Sequence, residues 1–472
     1  MKKKILVSSI LTIALCLSLI AGSTFALFTH QDEVGIEINA ANVEMRASIS
    51  PFVLESVKPD AAGNIVDEFG GKYSYVTCQN TFLNGGTAEL SQDSKALELS
   101  QVTPGDRVSF DVLGKNDSDV IIMYRYIVEC IDDRGLMSGL NVTIDGVTYP
   151  VLSSYTSVWT KLDPGQDIDP EHIVIELPVT AGNEYEKKSV SIKIAVEAVQ
   201  GNADVGENLA PTVEFLPGYT ATVATDRDSL QAALNNTVEG DNIIVLTGDI
   251  QGDVVATQKA NTTTVLLGNG KNFDGVLTVD GKSATITTAA LTIKDLVFSA
   301  DAGNDACIKL GPTNASRYVC NVTVMNCLFD VPEVVGVKSY TGGDYDVAII
   351  NCTATARAHS LANFKNVNGI LVENCTVNSQ RGLNLNNSDN IVINKCTFNV
   401  QKYAVRFGSD VDTIPEVENF TISNSTVAST CVEDAVIVFR AGASDAKLTL
   451  VNTELSGPVL MMGHENATII TK

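Results

Sequence analysis

Residues 371–400, LVENCTVNSQRGLNLNNSDNIVINKCTFNV, state one short pattern twice. Asn374-Cys375-Thr376-Val377 is answered by Lys395-Cys396-Thr397-Phe398. Alternating apolar residues precede each, Ile370 and Val372 in the first and Ile391 and Ile393 in the second. Aligned on the residue before the small one, the pattern runs through Asp295, Asn326, Asn351, Asn374, Lys395, Asn424 and Asn452, at intervals of 31, 25, 23, 21, 29 and 28 residues. Such a period, with β-type alternation inside each unit, defines a chain that stacks strands coil upon coil. One unit cannot bury its apolar face alone, and stacking gives all of them a common core.

The residue types fit that role. Asn tolerates the left-handed backbone a sharp bend needs, so Asn326, Asn351, Asn374, Asn424 and Asn452 read as a structural turn ladder whose side chains bond along the axis. The next position holds Cys327, Cys352, Cys375 and Cys396, then Ser425 and Thr453. Its parity matches the apolar residue two places on, so it points inward. These thiols read as a buried ladder of small hydrophobes, not as nucleophiles.

Upstream, Thr225 or Asp226 is placed to cap a short helix with Leu230, Ala233 and Leu234 on one face, suited to covering the first coil. Residues 201–216 read as a linker between a β-helix over 217–472 and an antiparallel β domain over 27–200. In that domain RVSFDVLG (107–114), VIIMYRYIV (120–128), HIVIELPV (172–179) and SVSIKIAVEAV (189–199) alternate as strands. Pro104-Gly105-Asp106 and Pro164-Gly165 supply turns. The expected fold is all-β: a β-sandwich of jelly-roll type, then a right-handed parallel β-helix with a short N-terminal capping helix. About seven coils or a few more, at about 4.8 Å each, make a rod of roughly 35–50 Å.

Lys2-Lys3-Lys4, the apolar run 5–20 and Thr24-Phe25-Ala26 form an export signal over 1–26, with cleavage between Ala26 and Leu27. A lipoprotein anchor on Cys16 fits less well, because Leu15 occupies the small-residue position. No second stretch is apolar enough to span a bilayer. A formal net charge of −24 argues against nucleic acid and anionic membranes as partners. Four scattered histidines, His30, His172, His359 and His464, build no zinc motif, and the cysteine spacings match neither a metal site nor a disulfide framework.

The stretch GSTFALFTHQDEVGIEINAANVEM, with LSQVTPGDRVSFDVLGKNDSDVIIMYRYIVEC and KKSVSIKIAVEAVQGN, resembles camelysin-like and TasA-type exported biofilm proteins of Gram-positive bacteria over about the first 200 residues. The resemblance implies a jelly roll, a dedicated signal peptidase, and residence in an extracellular matrix or at the cell surface. It also implies that the freed N-terminus can add as a strand to a neighbouring subunit. Leu27, Phe28, Val34, Ile36 and Ile38 would form that assembly strand, which reads equally as the first strand of its own domain. The metalloprotease label of some camelysins finds no His/Glu cluster here. RGLNLNNSDNIVINKCTF and TTTVLLGNGKNFDGVLTV resemble right-handed parallel β-helices of the pectate-lyase-like class, which includes lyases, hydrolases, epimerases, tailspikes and adhesins.

A lyase on such a face needs a basic residue, usually near calcium, and a hydrolase needs paired outward carboxylates. The outward candidates are Arg381, Asn384, Tyr403, Arg406, Asp410 and Arg440, and all but Asp410 are taken as candidates for sugar binding. The carboxylates Asp389, Asp410, Asp412, Glu416, Glu418, Asp434 and Asp445 fall mainly in turns. No catalytic or metal-ligating set emerges and no cofactor is implied, with calcium in the acidic turns left open. Leu177-Pro178-Val179-Thr180-Ala181 is mid-chain and reads as strand rather than sortase signal. Gly281-Lys282-Ser283 lacks the first glycine of a phosphate loop. The expected function is a secreted structural or adhesive matrix protein that binds polysaccharide through the β-helix and self-assembles, or meets a matrix partner, through the first domain. The alternative is a carbohydrate-active enzyme, lyase or hydrolase, working on the β-helix face.

Overall fold

The computed structural model describes residues 29–33, 43–59, 73–91, 96–203, 205, 210–281, 288–299, 306–311, 321–339, 346–365, 367–386, 388–408, 420–430, 435–439, 447–461 and 468–471. The chain divides into two compact units, with the boundary between Gly218 and Tyr219.

The first unit holds two antiparallel sheets. One is built on Ile122–Asp133 and Ser189–Gln200, paired from Gln200↔Ile122 to Val190↔Asp133 with one irregularity at Ser191/Ile192. The other is built on Asp106–Asn116 and Glu171–Glu176. Strict alternation puts Val108, Phe110 and Val112 inside from one sheet and Tyr124, Tyr126 and Val128 from the other, as the two-residue side-chain period requires. One expectation changes. Thr212–Phe215, read as linker, forms an antiparallel edge strand on Leu152–Thr156. Alternation of Val213 and Phe215 with polar neighbours lets it gain backbone bonds that a free linker would leave to water. Thr29–Glu33, inside the segment read either as an assembly strand or as the first strand of its own domain, pairs antiparallel with Ala195–Val199 of that domain. Ala26, Leu27, Phe28, Val34, Ile36 and Ile38 lie outside the described residues.

The second unit is a parallel β-helix with three long stacked sheets and, among the described residues, one short two-stranded sheet, Ile250–Gln251 on Phe273–Asp274. The long sheet has eleven strands, from Thr220–Ala224 to Thr468–Thr471. A narrow sheet has seven, from Val297–Phe298 to Glu454–Ser456, and a third has nine, from Val254–Gln258 to Val459–Met461. One coil shows the path: Asn368–Glu373 in the long sheet, a bend at Asn374, Thr376–Val377 in the narrow sheet, then Arg381–Asn386 in the third.

The bends are left-handed throughout. Asp295, Asn326, Asn351, Asn374, Lys395, Asn424 and Asn452 have φ between 46° and 57°. Their amides form chains along the axis: Asn326 donates to Asp295 at 2.8 Å and Asn351 to Asn326 at 2.7 Å. Lys395 cannot accept such a bond, and Asn424 donates instead to Asn394 at 3.0 Å. Directly inside, Cys327, Cys352, Cys375 and Cys396 are buried, with Ser425 next in line. The amides of Cys327 and Cys375 point at the sulfurs of Cys352 and Cys396, each at 3.4 Å. Phe298 stacks on Phe329 at 5.4 Å and Phe407 on Phe439 at 4.9 Å, continuing the core along the rod.

The helix Arg227–Asn235 opens this unit. Asp226 accepts from the Ser229 amide at 2.8 Å, and Ser229 accepts from the Asp226 amide at 3.1 Å, a reciprocal cap. Leu230, Ala233 and Leu234 are buried against the first strands. Lys259 closes the other end, donating to the carbonyls of Asn235 and Thr237 at 2.8 and 2.6 Å, where the helix leaves carbonyls unpaired.

Candidate ligand-binding face

The third sheet carries the site. Parallel register stacks equivalent positions coil upon coil, so Lys309, Lys338, Asn363, Asn384 and Arg406 form a single column on its outer surface. Their strand neighbours on either side are buried, and these five are half-exposed. At about 4.8 Å per strand the column spans roughly 19 Å. Column members touch where side chains allow it: the Asn384 amide donates to Asn363 Oδ1 at 3.3 Å. Asn384 Oδ1 is buried and accepts no hydrogen bond.

A second group flanks the column at the start of the same strands. Arg381 opens the strand Arg381–Asn386, and its amide bonds the His359 carbonyl at 2.9 Å. One coil further, the Tyr403 carbonyl accepts from Gly382 at 3.0 Å. The side chains then converge. Two guanidinium groups approach the Tyr403 ring, Arg381 at 5.7 Å and Arg406 at 5.9 Å from its centroid, both within cation–π range. Arg381 Nη1 donates to His359 Nε2. A guanidinium only donates, so this ring nitrogen is the acceptor and the imidazole is neutral. His359 Nδ1 stands 3.4 Å from Ser360 Oγ. Burial, followed by the positive field of Arg381, holds the His359 pKa below its ordinary value, and Lys402 and Lys338 act in the same direction. Glu333 opposes them, and Gln380 holds its carboxylate at 3.0 and 3.1 Å. Arg381 Nε is buried without a hydrogen-bond partner.

The structure therefore brings together Arg381, Asn384, Tyr403 and Arg406, four of the five candidate sugar-binding residues chosen from sequence. Arg440 lies outside the described residues, as do Asp410, Asp412, Glu416, Glu418, Asp434 and Asp445. Sequence reasoning missed His359, Lys309, Lys338 and Asn363. A register extended from the Asn turns does not reach them, because the loops between narrow and third sheets vary in length from coil to coil. The signal that finds Lys309, Lys338 and Asn363 is one polar residue between two inward ones, as in Ile308-Lys309-Leu310, Val337-Lys338-Ser339, Ala362-Asn363-Phe364 and Leu383-Asn384-Leu385. Among the described residues no three His, Cys, Asp or Glu side chains are grouped to hold a metal ion, and no helix is long and apolar enough to cross a membrane.

These features define an all-β protein with antiparallel sheets in its first unit and a parallel β-helix in its second, carrying a cationic, aromatic-centred face. No family model matches the sequence, and no curated protein does. Among solved structures, the chain is similar to the catalytic domain of a GH87 alpha-1,3-glucanase in complex with nigerose. The TM-score is 0.20 at 10% identity, covering 89% of this chain and 98% of that one. It is also similar to the A-module of the Azotobacter vinelandii mannuronan C-5 epimerase AlgE6, with a TM-score of 0.23 at 11% identity, covering 53% of this chain and 96% of that one.

Proposed function

We propose that the protein is exported and that the third sheet of its β-helix binds anionic polysaccharide. The observation that supports this is the cationic face itself. On a chain of net charge −24, Lys309, Lys338 and Arg406 stand in one column of the third sheet, and Arg381 joins Arg406 beside Tyr403. Scattered surface charge would not stack in register, whereas a polymer laid along the rod meets one position per coil. Guanidinium groups fork onto carboxylate or sulfate, the column amides suit hydroxyls, and Tyr403 offers a face for a sugar ring. Self-assembly through the first domain and membership of a cell-surface matrix, which the camelysin resemblance implies, remain compatible with this reading. The test is binding of polygalacturonate and dextran sulfate, against neutral dextran, to wild type and to Arg406→Ala and Tyr403→Ala at low ionic strength. We expect a loss of about tenfold or more in each variant, the size of one charge-assisted contact. Equal binding by all three proteins would reject this face.

A second reading rests on His359. A neutral imidazole beside a guanidinium is the pairing needed to draw the proton next to a uronate carboxylate: the cation carries the developing negative charge and the ring nitrogen takes the proton. Elimination would then break the C4–O bond, the C5–H electron pair forming a double bond between C4 and C5 while the departing oxygen takes a proton from water. Appearance of an unsaturated uronate product from polygalacturonate, lost in His359→Ala, is the expected result. An intact polymer after long incubation leaves binding alone.

A further inference from the structure

We propose that the face takes up each anionic group together with a proton on His359, so that ligand binding and protonation of this one side chain are coupled. This deepens the anionic-glycan reading and rests on it. The geometry carries it. Unliganded, His359 Nε2 is spent as an acceptor for Arg381 Nη1, and Arg381 also lies against the Tyr403 ring. The charged groups facing the imidazole come from every neighbouring coil: Glu333 and Lys338 before it, Arg381 after it, Lys402 one coil further. Three of the four are cations. The adjacent Ser360 hydroxyl, near Nδ1, is neutral. A proton added here meets three positive charges and one carboxylate that Gln380 already binds.

An anion placed between Arg381 and Arg406 reverses that balance. It draws the Arg381 guanidinium onto itself, releasing Nε2, and adds negative charge beside the ring. The imidazole then gains as an imidazolium a second donor toward the ligand. By linkage, whatever makes protonation easier in the complex makes the complex tighter in acid, and one proton coupled in full is worth tenfold in affinity per pH unit. The sign is definite. His359 sits below its ordinary pKa in the free protein, so the coupling falls in the mildly acidic range and vanishes once neither form binds a proton.

The test uses the full chain and dextran sulfate, whose sulfate esters stay ionised throughout, at fixed ionic strength from about pH 7.5 to about pH 5.5. We expect the wild-type dissociation constant to fall roughly tenfold across that range and the His359→Gln constant to change by less than about twofold. Gln retains an acceptor for Arg381 but cannot titrate. Independently of any variant, one of the four histidine ring signals of the wild type should titrate below the ordinary value alone and move upward when dextran sulfate is added. Tight binding with a flat wild-type profile, or the same slope in wild type and His359→Gln, or unmoved histidine titrations, overturns the coupling and leaves the binding face standing. Absence of binding at every pH overturns the glycan reading and the coupling with it.

Discussion

At the scale of single residues, two buried groups make opposite demands on solvent. Glu171 stands among Tyr149, Tyr155 and Asp145 in the first unit. Its Oε1 is buried with no hydrogen-bond partner. Burial, and then the charge of Asp145, push its pKa up to about 7. A carboxyl whose folded pKa lies above its unfolded one stabilises the fold fully in acid, and that contribution is lost as pH rises through about 7. The first unit should therefore melt at lower temperature at about pH 8 than at about pH 5, and Glu171→Gln, which stays neutral, should flatten that difference and raise the pH 8 melting temperature. A wild-type slope that survives in the variant would assign the effect elsewhere. The cysteines illustrate the other extreme. Cys327, Cys352, Cys375 and Cys396 are at most 2% exposed, and burial pushes the Cys307 thiol up to about 12. A thiol reagent cannot reach side chains this buried, so it should modify none of these five in the native protein and all of them once it is unfolded.

At the scale of elements, the bend is the unit of design. Each left-handed residue other than glycine costs about 1–2 kcal/mol, which Asn recovers in part by its own hydrogen bonds. Asn351→Ala keeps φ = 53° with no side-chain compensation and removes the 2.7 Å bond to Asn326. Denaturant unfolding should show a loss of about 1–2 kcal/mol. Lys395→Asn should act in the opposite direction by several tenths of a kcal/mol, because Lys395 holds φ = 50° without the local bonding of Asn. Gly382 tests the site strand. A Cβ there would come within 2.1 Å of the Ala404 carbonyl and 2.8 Å of Phe398, so Gly382→Ala should push the strand Arg381–Asn386 away from Val405–Phe407 and cost about 1–3 kcal/mol.

The same element explains what the sequence disclosed. The coils were legible because bend, inward cysteine and inward apolar residue keep fixed spacing, so one alignment carries the long and narrow sheets together. The third sheet follows corners of unequal length, and Lys309, Lys338 and Asn363 fall in step with Arg406 only when backbone pairing sets the register. His359 was visible as a rare residue but not as a neighbour of Arg381, since 22 residues separate them. Thr212–Phe215 was lost to the linker reading because Pro and Gly nearby outweighed a four-residue alternation.

At the scale of the whole molecule, the two units have separate cores, and each should answer its own perturbant. Their unfolding is expected as two transitions rather than one, because domains with independent cores need not melt together. Lowering pH through about 7 should move the first-unit transition through Glu171. Adding dextran sulfate should move the β-helix transition, since a ligand that binds only the folded form stabilises it by about 2.7 kcal/mol at a hundredfold excess over its dissociation constant. The two levers meet in one experiment. In mild acid the ligand-induced shift should grow, as His359 takes its proton, while in Arg406→Ala it should shrink at every pH and the first-unit transition should keep its wild-type pH dependence. Salt separates the terms further: raising ionic strength screens the cationic face and should abolish the ligand shift. It should leave the Glu171 effect largely in place, because that effect comes first from burial rather than from long-range charge. A ligand shift that persists in high salt would mean that the polymer is held by contacts other than Lys309, Lys338, Arg381 and Arg406.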